Sequence, residues 1–546
     1  MEQAFAISGN IVDVLHRRIF AGTLEIEQGR IVRIREDNTI YGQYICPGFI
    51  DAHVHIESSL LIPAEFARLA VVHGTVATLS DPHEIANVLG IAGVEFMLEN
   101  AAQVPFKFFF GAPSCVPATR FETAGAILDA RAVEQLLQRN DIWYLSEMMN
   151  YPGVLQHDAE VMRKIALAKQ YQKPIDGHAP GLRGIQARQY AEAGISTEHE
   201  CTTLEEALDK LEAGMHILIR EGSAARNFDA LIPLLKQFPE RIMFCSDDKH
   251  PDSLVLGHIN QFVKRALSKG HALFDVLRAA CLNPIIHYRL PVGKLQVGDP
   301  ADFIILDNFE RLQVLATYVE GKLVAQQGKS LIPSIPSRTP NHFHTPKLKL
   351  EDLEVKAPSN TSCTIRVIEA MDGQIVTGAA QAIARLHDGK IVSDTQQDLL
   401  KLVVVNRYKP ARPAIAFVRG FGLKRGAIAS SVAHDSHNLI AVGTQDEMIW
   451  KAIQALIPHG GGLSVVHEQK QVVLPLPVAG LMSAEDGYAV ARKYEQIDAE
   501  AKALGTKLRA PFMTLSFMAL LVIPRLKLSD QGLFDGEQFQ FTSLFA

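Results

Sequence analysis

Cys46-Pro47-Gly48-Phe49-Ile50-Asp51-Ala52-His53-Val54-His55-Ile56-Glu57-Ser58-Ser59 leads from an apolar run into two closely spaced histidines. Tyr44, Ile45, Phe49 and Ile50 read as a strand, and a strand alternates its side chains. His53 and His55 therefore share a face, with Val54 on the other. Two imidazoles so placed can grip one metal ion from one side. The competing reading is an incidental pair at a strand end, since so short a motif recurs by chance. The preceding Pro47-Gly48-Phe49-Ile50-Asp51 and the acids and histidines downstream favour the metal.

Working outward, residues 48–290 alternate apolar strand-like runs with amphipathic helix-like ones, the pattern of a parallel α/β architecture. Their length of roughly 240 residues is close to that of an eight-stranded barrel, where chemistry gathers at the C-terminal strand ends. Short alternating segments lie on both sides of this region. One contains Gly22 to Ile34, a hairpin turning at Glu27-Gln28-Gly29-Arg30; the other runs from Gly293 to Val324. Three prolines between Ile332 and Asn341 make a continuous helix or central strand improbable there, which leaves a linker or wrapping segment. Beyond it the pattern is α+β, with strands expected at 364–369, 402–405 and 414–418 and a helix at 446–456.

Composition bounds the partners. The 546 residues are 47% hydrophobic and 21% charged, an ordinary globular composition too long for one core. A net charge of -6 gives no basic footprint, so neither nucleic acid nor an anionic membrane is an expected partner. No apolar run reaches the ~18 residues of a membrane helix, and Met1-Glu2-Gln3-Ala4-Phe5 does not open a secretory leader. Six dispersed cysteines, without a Cys-x-x-Cys pair, argue against both disulfides and a thiolate zinc site and fit a reduced cytoplasm.

Further polar groups follow apolar strands. Trp143-Tyr144-Leu145-Ser146-Glu147 ends in a carboxylate, whose two oxygens can each bind a different cation. Ile175-Asp176-Gly177-His178 and Ser196-Thr197-Glu198-His199-Glu200 place two histidines about one βα unit apart. If the strand persists, Glu198 and Glu200 are expected to project away from His199, where one of them can orient an imidazole. Ile242-Met243-Phe244-Cys245-Ser246-Asp247-Asp248 ends in two acids, of which Asp248 carries no assigned role. Asp81-Pro82-His83-Glu84-Ile85-Ala86-Asn87 either reaches substrate through His83, Glu84 and Asn87 or simply caps a helix beginning near Pro82. His434-Asp435-Ser436-His437-Asn438 is too polar for a core strand and reads either as a surface loop or as part of the site.

The His53-Val54-His55 segment with its Glu57-Ser58-Ser59-Leu60-Leu61 continuation resembles the first barrel strand of the amidohydrolase superfamily, and within it the adenine deaminases. The resemblance spans almost the whole chain. It implies a (β/α)8 TIM-like barrel at 48–290, a composite small β-sandwich from 1–47 plus 291–331, a linker at 332–345 and a C-terminal α+β domain at 346–546. It implies two divalent ions, manganese first with iron or zinc as alternatives, on His53, His55, Glu147, His178, His199 and Asp247. Glu147 would bridge them where many relatives use a modified lysine, since no lysine stands at that strand end. Asp247 would also transfer the proton. His83, Glu84 and Asn87, with His434, Asp435 and His437 from the last domain, would meet a free purine base.

The implied reaction is hydrolysis of adenine to hypoxanthine and ammonia, in purine salvage or adenine catabolism, by a metal-bridging hydroxide attacking C6. A homo-oligomer is expected. The alternatives are another amidohydrolase activity, such as cyclic amide opening or deacetylation, and a catalytically silent scaffold.

Overall fold

The computed structural model describes residues 4–344, 347–359 and 362–546. Eight parallel strands, β1 (Phe49–Val54), β2 (Thr75–Ser80), β3 (Lys107–Ala112), β4 (Ile142–Met148), β5 (Ile175–Gly177), β6 (Thr197–Glu198), β7 (His216–Arg220) and β8 (Ile242–Cys245), follow one another in sequence order. Backbone bonds close the ring. Ser196 N donates to Ile175 O at 2.9 Å between β5 and β6, and Asp247 N donates to His53 O at 3.0 Å, joining β8 to β1. β2 is buried at every position, as expected of a parallel strand covered on both faces. The outer helices are amphipathic: in Ala130–Leu137, Val133, Leu136 and Leu137 turn inward while Asp129 caps the start by accepting from Ala132 N at 2.8 Å.

The apolar run that opens the reading above is two strands rather than one. Tyr44–Pro47 pairs with Phe303–Leu306, and β1 starts only after Gly48. A Cβ on Gly48 would meet the Val76 side chain at 2.3 Å, so the chain passes between the two sheets only with glycine there.

The segments flanking the barrel fold together. The strands Phe5–Asp13, Arg18–Glu27 and Arg30–Glu36 join Tyr44–Pro47, Phe303–Leu306, Val314–Val319, Lys322–Gln326 and Lys329–Ser330 in one eight-stranded sheet curled around Ile11, Leu24, Ile26, Ile45 and Phe303. The expected hairpin turns on Gln28 and Gly29, both with positive φ (51° and 74°), the geometry of a two-residue type I′ turn.

Residues 332–344 contain no helix or strand and lie along the barrel and the last domain, with Arg68 Nε donating to Ile332 O at 3.1 Å and Ala479 N to Pro340 O at 2.7 Å. The expected linker boundary at 345 and 346 lies outside the described residues, as do Met1, Glu2 and Gln3. The C-terminal region is built on a second eight-stranded sheet that includes Thr364–Glu369, Leu400–Val405 and Ala414–Arg419, with the helix Asp446–Leu456 against it. Among the described residues no helix is long and apolar enough to cross a membrane.

Candidate metal centre

The C-terminal ends of β1, β4, β5, β6 and β8 bring the expected ligands to one point. His53 Nε2, His55 Nε2 and Asp247 Oδ1 form a triangle with sides of 3.2, 3.3 and 3.4 Å. Donors about 2.05 Å from an ion at tetrahedral angles stand about 3.3 Å apart, so this triangle has the size of one ligand face. A second group lies beside it, with His178 Nδ1 and His199 Nε2 each 3.0 Å from Glu147 Oε2. Glu147 also faces the first group, Oε2 lying 3.8 Å from His53 Nε2 and Oε1 3.6 Å from His55 Nε2. Its carboxylate thus stands between two donor sets. His199 Nε2 is buried and has no hydrogen-bond partner, although imidazole nitrogens are rarely left so. The donor set fits divalent cations.

Surrounding groups fix these side chains. His55 Nδ1 donates to Asp81 O at 3.2 Å, which leaves the Nε2 lone pair for a cation. Tyr190 Oη donates to Met148 O at 2.7 Å and accepts from His178 N at 3.1 Å, tying the ends of β4 and β5. Glu198 does not orient an imidazole; it accepts from the backbone N–H of Ala179, His199 and Glu200 and pairs with buried Lys210 at 3.0 Å. Glu200, expected to turn away, points inward, with Oε1 3.6 Å from His178 Nδ1 and 3.5 Å from His199 Nε2. The reason is Arg220 at the end of β7. Its guanidinium grips both Glu200 oxygens, at 2.7 Å for Nη2–Oε2, and reaches Asp247 Oδ2 at 2.6 Å. Sequence reasoning missed Arg220, whose only signal was a cation ending the apolar Ile217-Leu218-Ile219.

The charges follow from these contacts. Burial opposes ionisation of Glu147, but His178 and His199 outweigh it and hold the carboxyl well below the usual range. For Asp247, burial is overcome by Arg220 and then His53, again to well below the usual range. Burial disfavours a charged His178, yet Glu147 and Glu200 raise it to about 9. Carboxylates that stay ionised in a buried site, facing several imidazoles, are what a cation-binding centre needs. Asp247 also adopts φ of 54°, a left-handed conformation that aspartate tolerates better than most residues and that often marks functional positions.

The C-terminal region roofs this centre. A pocket of about 20 Å³ is lined by His55, Glu147, Asp247 and Arg220 from the barrel and by Ile375, His434, Asp435, Phe517 and Leu520 from above. The His434–Asn438 run is buried, which rules out a surface loop. His434 Nδ1 and His437 Nε2 each make a short hydrogen bond to a different oxygen of Glu84. His437 Nδ1 accepts from Ala433 N at 3.2 Å, so its Nε2 carries the hydrogen given to Glu84 and the ring is neutral. His434, despite burial, is raised to about 9 by Glu84 and then Asp248 and supplies the positive charge. Asp248 accepts from Ser58 Oγ and lies 4.0 Å from His434 Nε2.

The Asp81-Pro82-His83-Glu84 turn opens a helix and also faces the centre. Asp81 Oδ1 accepts from His83 N at 3.1 Å at the head of the His83–Leu89 helix, while the His83 ring faces Glu147 at 3.5 Å and Asp435 at 3.6 Å. His83, Glu84, His434 and Asp435 line the pocket. Asn87 does not; it donates to His83 O at 3.0 Å within its own helix, and His437 acts only through Glu84.

Known proteins resemble both parts of the chain that meet at this centre. The model of the Amidohydrolase family matches residues 44–324, and that of the Adenine deaminase C-terminal domain matches 374–540. A protein named adenine deaminase from Salinibacter ruber is 54% identical, covering 100% of both chains. Another from Borreliella burgdorferi is 46% identical over 98% of this chain and 99% of its own. The chain belongs to the adenine deaminase family. The adenine deaminase match extends over the barrel and the C-terminal region alike. Among solved structures, a β-aspartyl dipeptidase from Fervidobacterium islandicum aligns at 15% identity over 60% of this chain and 98% of that one, with a TM-score of 0.46.

Proposed function

We propose that this chain hydrolyses adenine to hypoxanthine and ammonia with two divalent metal ions, manganese foremost. The observation that carries the reading is the roof: His434, Asp435 and Phe517, within the region matched by the Adenine deaminase C-terminal domain, close over the metal centre of the barrel. Chemistry that needed the barrel ligands alone would give no reason for that closure.

In this reading His53, His55 and Asp247 would hold one ion and His178 and His199 the other, with the Glu147 carboxylate available to both. Bound divalent cations supply Lewis-acid chemistry that makes water nucleophilic near neutral pH. Asp247 accepts the proton released from the attacking water and returns it to the departing amino group, while Arg220 holds its carboxylate in place through Oδ2. Oxygen replaces the amine at C6, so water plus adenine balances hypoxanthine plus ammonia. The Phe517, Leu520 and Ile375 side chains exclude bulk water, which strengthens every charge interaction inside. Six free, buried cysteines suit a reduced compartment such as the cytoplasm.

The test is to assay the manganese-loaded protein with adenine, a cyclic amide and an N-acetylated sugar in parallel. Stoichiometric hypoxanthine and ammonia from adenine is the expected outcome; turnover of either other substrate with inert adenine would overturn the proposal.

A further inference from the structure

The pocket over the metal centre holds about 20 Å³, room for about one water molecule. A bicyclic base does not fit unless a wall moves. On the β3–β4 side of the same centre lies a second cavity, open to solvent and about 920 Å³ in volume, within the range of small-molecule sites. Met149 lines both spaces, and so does the short stretch after the Pro511–Phe517 helix: Leu520 faces the pocket and Val522 the cavity. That stretch is a run of turns between the helix and the Leu526–Ser529 strand, whereas Phe517 and Ile375 beside it are pinned through their carbonyls by Lys527 Nζ at 2.9 and 2.7 Å. The cavity walls combine Tyr151, Phe539 and Pro117 with polar Asn150 and with Glu122, a buried side chain whose Oε2 has no hydrogen-bond partner. Apolar faces with a few unsaturated polar groups suit a neutral heteroaromatic ring.

We infer that this cavity is an antechamber that receives the free purine base before it enters the pocket, and that Met149 and the Leu520–Val522 stretch are the wall that moves aside. The identity of the base rests on the adenine reading; the role of the cavity does not.

The test places a plug in the folded, metal-loaded protein. Ile127 is 78% exposed on the cavity wall, so Ile127→Cys can be labelled with a fluorescein maleimide after folding. Ile40→Cys, 98% exposed in the loop between Arg30–Glu36 and Tyr44–Pro47, is the positional control, and the unmutated chain treated alike controls for its six buried cysteines. Two rates are read: removal of metal by the planar chelator 1,10-phenanthroline, and kcat/KM for adenine. Labelled Ile127→Cys should lose roughly tenfold or more in both, the size expected when an access step becomes limiting, with the labelled control unchanged. The chelator rate decides the antechamber whatever the substrate proves to be: an unchanged rate in labelled Ile127→Cys overturns it. Adenine already inert with the unlabelled, metal-loaded protein, together with chelation slowed by the label, would instead count against the adenine reading alone.

Discussion

His437 Nε2 donates to Glu84 Oε2 across the join between the C-terminal region and the second barrel loop, and His434 engages the other oxygen of the same carboxylate. A buried carboxylate satisfied by two rings from another part of the chain fixes the roof to the barrel. Hydrogen bonds to a charged group contribute about 1.5–3 kcal/mol each. His437→Ala and His434→Ala are therefore expected to lower kcat/KM for adenine by roughly tenfold or more. Metal content should stay unchanged, because neither ring is within the two donor sets. Elemental analysis beside kinetics checks both halves, and full activity in both variants would remove the roof from the mechanism.

Glu147→Gln keeps the shape of the side chain but offers a neutral amide where two donor sets meet. Carboxylate charge is what balances two dications in a buried site, so the variant should retain at most about one tightly held ion under dialysis. Two ions retained at full occupancy would show that Glu147 is not the bridge.

The ligand ring was readable because each member follows an apolar strand, and a parallel barrel collects such strand ends on one face. That regularity made His53, His55, Glu147, His178 and His199 candidates, while the choice of Asp247 over Asp248 and the grouping of all six rested on the family resemblance. The sequence-distant contacts were not readable in the same way. Arg220 pairs with Glu200 and Asp247 from neighbouring strands, and nothing local distinguishes it from an arginine reaching solvent. Glu200 turns inward because the strand that would have alternated it outward ends at Glu198, and the guanidinium then engages it. Gly48 hid a change of sheet inside what read as one apolar run.

Asp247→Asn should reduce kcat by roughly 10²-fold or more with the ions still bound, the scale of a lost general acid/base. Arg220→Met should follow in the same direction by a different route, freeing Asp247 Oδ2 and leaving Glu200 and Asp247 facing each other without their cation. Arg220→Lys retains the charge but not the two-pronged grip and should recover only part of the loss. Wild-type kcat in Arg220→Met would show that Asp247 needs no such support.

Lys210 is fully buried with Glu198 at 3.0 Å and Glu206 at 2.9 Å, and it donates to Ala179 O at 2.7 Å beside His178. Removing one partner of a buried ion pair leaves an uncompensated charge, at a cost of about 3–5 kcal/mol. Lys210→Met should accordingly lower the denaturant midpoint strongly and loosen the ion held by His178 and His199. A midpoint within error of wild type would show that Glu198 takes up a proton at little cost.

Lys527 carries a pH dependence of its own. It is buried, donates to Ile375 O and Phe517 O, and has its pKa lowered by burial to about 7. An unfolded lysine titrates near 10.4. Between pH 7 and 10 the folded side chain is therefore neutral while the unfolded one holds a proton, so unfolding takes up a proton and stability rises with pH. Its stabilising contribution is complete above the unfolded pKa and is lost as pH falls towards 7, by up to about 1.4 kcal/mol per pH unit. Lys527→Met, which leaves two roof carbonyls without a donor, should be less stable than wild type and should flatten the rise. The level mixes lost hydrogen bonds with lost charge, so the slope of unfolding free energy between pH 7.5 and 9.5 is the quantity to compare, at metal saturation. A variant with the same slope as wild type would mean that Lys527 stays protonated inside the fold and that the carbonyls of Ile375 and Phe517 stabilise the cation more than burial opposes it.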